Sequence, residues 1–167
     1  HANAVVIGEA EEIWPCLIED VRSGGLQPFY QQKDFTDCSK IPRPRREILP
    51  KRGYFPLDVI QVSRGCPYRC EFCSVRKFFG DTYRLRPISD VVEEIKSLSH
   101  RLIMFNDDNI IGNLSYSGEL LKAITPLRKK YEISWIFVGG LKSLYPEGST
   151  KKYPAFSIST TFGTYRS

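Results

Sequence analysis

The chain has 167 residues, 41% of them hydrophobic and 26% charged, an ordinary globular composition with enough apolar material for one core. Its 12 Gly and 11 Pro are too few for a low-complexity chain, and no apolar run approaches the ~18 residues that span a bilayer. A net charge of +5 suits an anionic ligand or nucleic acid without selecting either, and surplus Lys and Arg more often only keep a surface solvated. The opening HANA at 1–4 carries no signal-peptide pattern, because the apolar run to Ile7 is short and followed by acids. A cytoplasmic protein is expected, and a first residue other than Met suggests a fragment.

Residues 4–8 (AVVIG) form a short apolar run closed by Gly, the pattern of a buried strand. From 9 to 23, Ile13, Trp14, Leu17, Ile18 and Val21 recur at helical spacing; Pro15 fits only in the first turn, and Gly24-Gly25 is the stop. Residues 26–56 show no period, and Pro42, Pro44 and Pro50 deny both helix and central strand. An extended linker is expected there. Its Arg43, Arg45 and Arg46 suit an anion, but more often such residues keep an exposed linker soluble. Residues 57–62 (LDVIQV) read as the next strand. Residues 90–99 read as an amphipathic helix capped by Asp90, with Val91, Val92, Ile95 and Leu98 on one face. A strand at 102–105 (LIMF), a helix near 115–130 that Pro126 should kink or shorten, and a strand at 133–138 stopped by Gly139-Gly140 complete the pattern. Alternating strands and helices imply an α/β fold with a parallel sheet. Residues 141–167 give no periodic element.

Five cysteines are present, and three of them, Cys66, Cys70 and Cys73, stand in the run CPYRCEFC at 66–73. An odd number crowded in this way is a poor disulfide framework and points to metal binding or catalysis. Three thiolates on one tight loop can hold three corners of a cubane cluster and leave the fourth iron open for chelation, as catalytic zinc sites leave one position open. The loop also begins just past a strand, where α/β proteins place their ligands. Three other readings stay open. Structural zinc wants four ligands, and Cys16, Cys38, His1 and His100 are not at finger spacing. A redox pair, Cys70 and Cys73, leaves Cys66 unexplained, and a closed ferredoxin cluster lacks its fourth cysteine.

The run SRGCPYRCEFC at 63–73 resembles the signature loop of the radical S-adenosylmethionine superfamily, with Phe72 as the aromatic residue before the third cysteine. The resemblance implies a [4Fe-4S] cluster on Cys66, Cys70 and Cys73 that chelates S-adenosylmethionine, with Phe72 near the adenine. It further implies one-electron cleavage of the S–C5′ bond to methionine and a 5′-deoxyadenosyl radical, so that the radical chemistry belongs to the cofactor. Many members carry Gly-Gly-Glu at the end of the second strand, which takes the cofactor's amino group. Here that place holds Asp107, Asp108 and Asn109; a carboxylate there can accept from an ammonium, or the three can merely turn the chain toward the next helix.

Further stretches, GEAE at 8–11, Trp14-Pro15, Gly25-Leu26, Tyr30, FFGDTYRLRP at 78–87 and FNDDNIIG at 105–112, resemble the class of that superfamily with a cobalamin-binding domain. The class includes hopanoid methylases and other methylases of unactivated carbon. The implied organisation is a remnant of a Rossmann-like cobalamin domain at 1–31, its last strand and helix. A Pro/Arg-rich linker at 32–55, the first part of a (β/α) barrel at 56–140 and an irregular tail at 141–167 follow. Cobalamin itself would be held by the parent protein, upstream of His1. The implied partners are a small-molecule substrate and a one-electron donor such as flavodoxin or ferredoxin, with no membrane span. An RNA-modifying methylthiotransferase-like enzyme and a non-catalytic cluster- or zinc-binding module are the alternatives; the opening residues count against nucleic acid.

Overall fold

The structure is a computed structural model that describes residues 2–50 and 52–137. The expected stop at Gly139-Gly140, the tail at 141–167 and His1 lie outside the described residues.

The chain opens as a strand, a helix and a second strand: β1 (Val5–Ile7), α1 (Trp14–Ser23) and β2 (Phe29–Gln31). β1 and β2 pair in parallel, with Val5 opposite Phe29 and Ile7 opposite Gln31. The expected last strand and helix therefore gain a second strand. Three residues behind a proline are too short for an alternation to be detected. α1 starts later than position 9, with Pro15 in its first turn, where a missing N–H costs nothing. It ends at Gly24, whose φ of 76° sends its N–H back to the Asp20 and Val21 carbonyls. Beyond β2, the expected linker holds two single turns of 3₁₀ helix, Cys38–Lys40 and Arg46–Ile48.

The next strand is split. β3 (Asp58–Ile60) runs parallel to β6 (Leu102–Phe105), and Asn106 N–H donates to the Ile60 carbonyl at 2.8 Å. The following amides, of Val62 and Ser63, leave the ladder and donate instead to the buried Asp107 carboxylate. Diverted in this way, the chain forms β4 (Ser63–Gly65), which pairs antiparallel with β5 (Tyr83–Leu85). Between the two lie the cysteine loop and a short helix, α2 (Val75–Phe79).

Helix α3 (Ile88–Lys96) and helix α4 (Leu114–Tyr131) precede β6 and β7 (Ser134–Phe137), giving a parallel sheet in the order β3-β6-β7. Pro87, not Asp90, is the N-cap of α3; Asp90 sits in the first turn, where its charge still favours the helix dipole. The Asn113 side chain caps α4 by accepting from the Tyr116 N–H at 3.0 Å, and the helix runs through Pro126 to Tyr131 rather than ending early. Ile60, Ile103 and Phe105 from the sheet meet Val91 and Ile95 of α3 and Leu120, Ile124 and Leu127 of α4 in one buried cluster. Phe105 and Trp135 pack ring to ring at 5.7 Å. Burying a Phe, Leu or Ile side chain stabilises by about 1.5–3 kcal/mol each, so this cluster is the main source of stability beneath the loop.

Candidate metal centre

The cysteine loop leaves β4 at Gly65, whose φ of 85° and contact with the Thr82 carbonyl oxygen leave no room for a Cβ. Cys66, Cys70 and Cys73 are all half-buried and free of disulfides. Cys73 N–H donates to the Cys70 carbonyl at 3.0 Å, which closes the CEFC stretch into a turn. Phe72, expected near an adenine, is 93% exposed and its ring is open to any planar ligand that reaches the loop.

The segment after β6 lies directly beneath. Asp107 is 3% exposed; its Oδ1 accepts from the amides of Val62 and Ser63 and from Ser63 Oγ at 2.7 Å. Its Oδ2 is buried with no hydrogen-bond partner among the described residues. Burial pushes the Asp107 carboxyl up, against the Ser63 and Val62 donors that pull it down. Asp108 Oδ2 accepts from Gly65 N–H at 3.2 Å, and burial pushes it up too. Asn109 is 1% exposed and its Nδ2 donates to Cys66 Sγ at 3.6 Å, while Tyr83 OH donates to the Asn109 carbonyl at 2.8 Å. So Asp107, Asp108 and Asn109 all contact residues 62–66, and each acts on the chain leading into the first cysteine.

The other two cysteines stand apart in role. Cys16 is exposed on α1, and Cys38 is buried, its Sγ donating to the Arg84 carbonyl at 3.7 Å, with burial pushing the thiol up. Among the described residues no group of three or more His, Cys, Asp and Glu side chains converges tightly enough to enclose a metal ion. In a cubane each iron takes its own thiolate, so cluster ligands stand farther apart than the ligands of one ion. The donors are of the kind such a cluster takes: three thiols on one loop, none in a disulfide, with an amide donor on one sulfur. Amide hydrogen bonds to sulfur of this kind tune cluster potentials.

Beneath the loop lies an ion cluster that pattern reading does not single out. Arg64 of β4 and Arg84 of β5 are register partners, side by side across the hairpin. Glu9, just past β1, takes Arg84 on both oxygens, at 2.6 and 2.8 Å, and lies 3.5 Å from Arg64; Glu11 pairs with Arg64 as well. Thr36 N–H also donates to Glu9 at 2.8 Å. Burial alone would raise the Glu9 carboxyl, but Arg84, Thr36 and Gln32 outweigh it and hold its pKa at about 2. The signal was present in two separate stretches, 8–11 and 78–87. What could not be read was that they touch.

No family model matches the chain. It is similar to a bacteriochlorophyllide d C-8(2)-methyltransferase of Chlorobaculum tepidum, at 33% identity over 108 residues, 61% of this chain and 22% of that one. It is 30% identical over 129 residues to a hopanoid C-2 methylase of Rhodopseudomonas palustris, 74% of this chain and 24% of that one. It is 32% identical over 108 residues to a protein of Methanocaldococcus jannaschii provisionally named a methylthiotransferase, 58% of this chain and 23% of that one. The chain spans about a quarter of the length of the curated relatives it matches. With the loop at 63–73 already bearing the superfamily's signature, these relatives identify the chain as belonging to the radical S-adenosylmethionine superfamily and resembling its cobalamin-binding class.

Proposed function

We propose that the chain is part of a radical S-adenosylmethionine enzyme that methylates a small molecule. Cys66, Cys70 and Cys73 would hold a [4Fe-4S] cluster, and three thiolates would leave it a position open for S-adenosylmethionine. Such a cluster would supply the one electron needed to break the S–C5′ bond of S-adenosylmethionine. The observation that carries this reading is the set of three free, half-buried thiols on one loop with no fourth cysteine beside them. The chain's own residues do the positioning. Asp107 and Asp108 hold the backbone at Val62, Ser63 and Gly65. Asn109 donates to Cys66 Sγ, and Phe72 offers an exposed ring for the adenine. The buried, unpaired Asp107 Oδ2 and the half-buried Asp108 are the acceptors available to an ammonium. The methyltransferase relatives support small-molecule methylation as the activity of the whole protein. In this reading the parent protein holds cobalamin, and a flavodoxin or ferredoxin is the electron donor.

The test is anaerobic reconstitution with iron and sulfide. About four irons per chain are expected, and added dithionite and S-adenosylmethionine should yield 5′-deoxyadenosine and methionine. Cys70→Ala should lose most of the iron and Cys16→Ala none of it; equal loss in both would mean that the ligands are wrong, and stable zinc with no iron uptake would sink the proposal. A second reading, methylthiolation of RNA, is supported by the methylthiotransferase-named relative and the +5 charge. Salt-dependent RNA binding by the reconstituted chain would favour it; no binding at low salt would remove it.

A further inference from the structure

The base of the cysteine loop contains an electrostatic conflict that another part of the chain resolves. Arg64 and Arg84 sit directly opposite each other in the antiparallel β4–β5 pair, two residues before the loop begins at Cys66 and two after it ends at Thr82. Like charges in directly opposed positions destabilise a strand pair. These two are also largely withdrawn from water, with side chains 13% and 16% exposed, so solvent screens them poorly. Nothing within the hairpin itself neutralises them. The neutralising carboxylates come from beyond β1: Glu9, 7% exposed and shared by both arginines, and Glu11 on Arg64. Arg84 is held further by the Thr36 carbonyl at 2.7 Å and by the Phe35 ring, 4.9 Å away. Gly65, the residue between Arg64 and Cys66, packs its backbone against the Thr82 carbonyl with no room for a Cβ, so a repulsion at 64/84 acts next to the first cysteine.

We infer that Glu9 is a positioning residue of the cysteine loop: it clamps the opposed Arg64–Arg84 pair and so lets the β1–α1–β2 unit set the geometry of the loop's base. The clamp follows from the hairpin geometry alone; its consequence for the cluster rests on the function proposed above. A merely structural Glu9 would matter to its own unit, through Thr36 and Gln32. A clamp matters because of the two cations, and removing one of them should then compensate for losing the acid.

That difference is the test, made first on the chain without iron. Hydrogen–deuterium exchange by mass spectrometry is followed at 62–66 and 83–86 in the wild type, Glu9→Gln and Glu9→Gln/Arg64→Gln. Glu9→Gln should speed exchange there by about tenfold, and the double variant should recover most of it. Exchange in α4 should not change. A double variant as fast as Glu9→Gln, or a single variant that opens only around Thr36, would overturn the clamp. If Glu9→Gln fails to fold, a folded double variant supports the clamp and an unfolded one overturns it. Iron uptake by the same proteins is read separately. A wild type that takes no iron defeats the cluster reading and leaves the exchange result standing. Wild-type uptake that is lost in Glu9→Gln and restored in the double variant joins the two.

Discussion

Glu9 and Asp107 are both buried carboxylates, and their surroundings push them in opposite directions. Each oxygen of Glu9 meets a guanidinium, which outweighs the cost of burial and brings its pKa from 4.5 to about 2. Asp107 faces only neutral donors on one oxygen and nothing on the other, so burial prevails and its carboxyl moves up. The signs differ accordingly. Glu9 adds stability that is fully present above pH 4.5 and is lost as pH falls toward 2, because the unfolded chain takes up its proton first. Denaturant unfolding followed from pH 6 to pH 2 should show this acid loss in the wild type and a shallower one in Glu9→Gln. Glu11, also lowered by Arg64, would supply the remainder. An acid limb of equal depth in both proteins would show that the Glu9 ion pairs do not contribute.

At the scale of elements, the hairpin β4–β5 carries the site. Its cysteines are legible from spacing alone, because ligand spacing is a one-dimensional property. The hairpin is not legible. Its strands are three residues each and are separated by the whole of 66–82, so no two-residue turn marks them as a pair. The split between β3 and β4 depends on Asp107, more than forty positions away, taking the Val62 and Ser63 amides. Gly65 is the weak point of this element. Gly65→Ala would impose a side chain at φ 85° and against the Thr82 carbonyl, costing about 2 kcal/mol or more. Thermal melts should fall accordingly and iron uptake should drop with them; an Ala variant with wild-type melting would mean that the hairpin base is looser than described.

At the scale of the whole molecule, one buried acid joins three parts of the chain. Glu94 of α3, 1% exposed, meets Arg46 from the linker at 2.6 Å and Arg86 beyond β5 at 2.7 Å. Arg46 also donates to the Val59 carbonyl and lies 3.9 Å from Asp58, so it pins the linker across the edge of the sheet. This corrects the expectation that the linker arginines only keep it soluble; Arg45, by contrast, is exposed and pairs, among the described residues, with Glu47 beside it. Glu94→Ala would take the counter-charge from Arg86 and leave Arg46 with only the more distant Asp58, and should cost about 3 kcal/mol, read as a lowered Tm. Arg46→Ala should cost less, because its side chain is 22% exposed. Equal losses would mean that Arg86 contributes little.

The sequence by itself determined the thiol set, the long elements and the family resemblance. Each of these is carried by neighbours in the chain: Cys66, Cys70 and Cys73 by spacing, α3 and α4 by helical period, and β6 by an unbroken apolar run. The tertiary structure alone decided which charges meet. Glu9 with Arg84, Asp107 with Ser63 and Glu94 with Arg46 and Arg86 are pairings between distant segments. Their partners are chosen by where the backbone brings them, and no local period records that choice. The cysteine loop is therefore readable as a motif, whereas the frame that aims it is readable only in three dimensions.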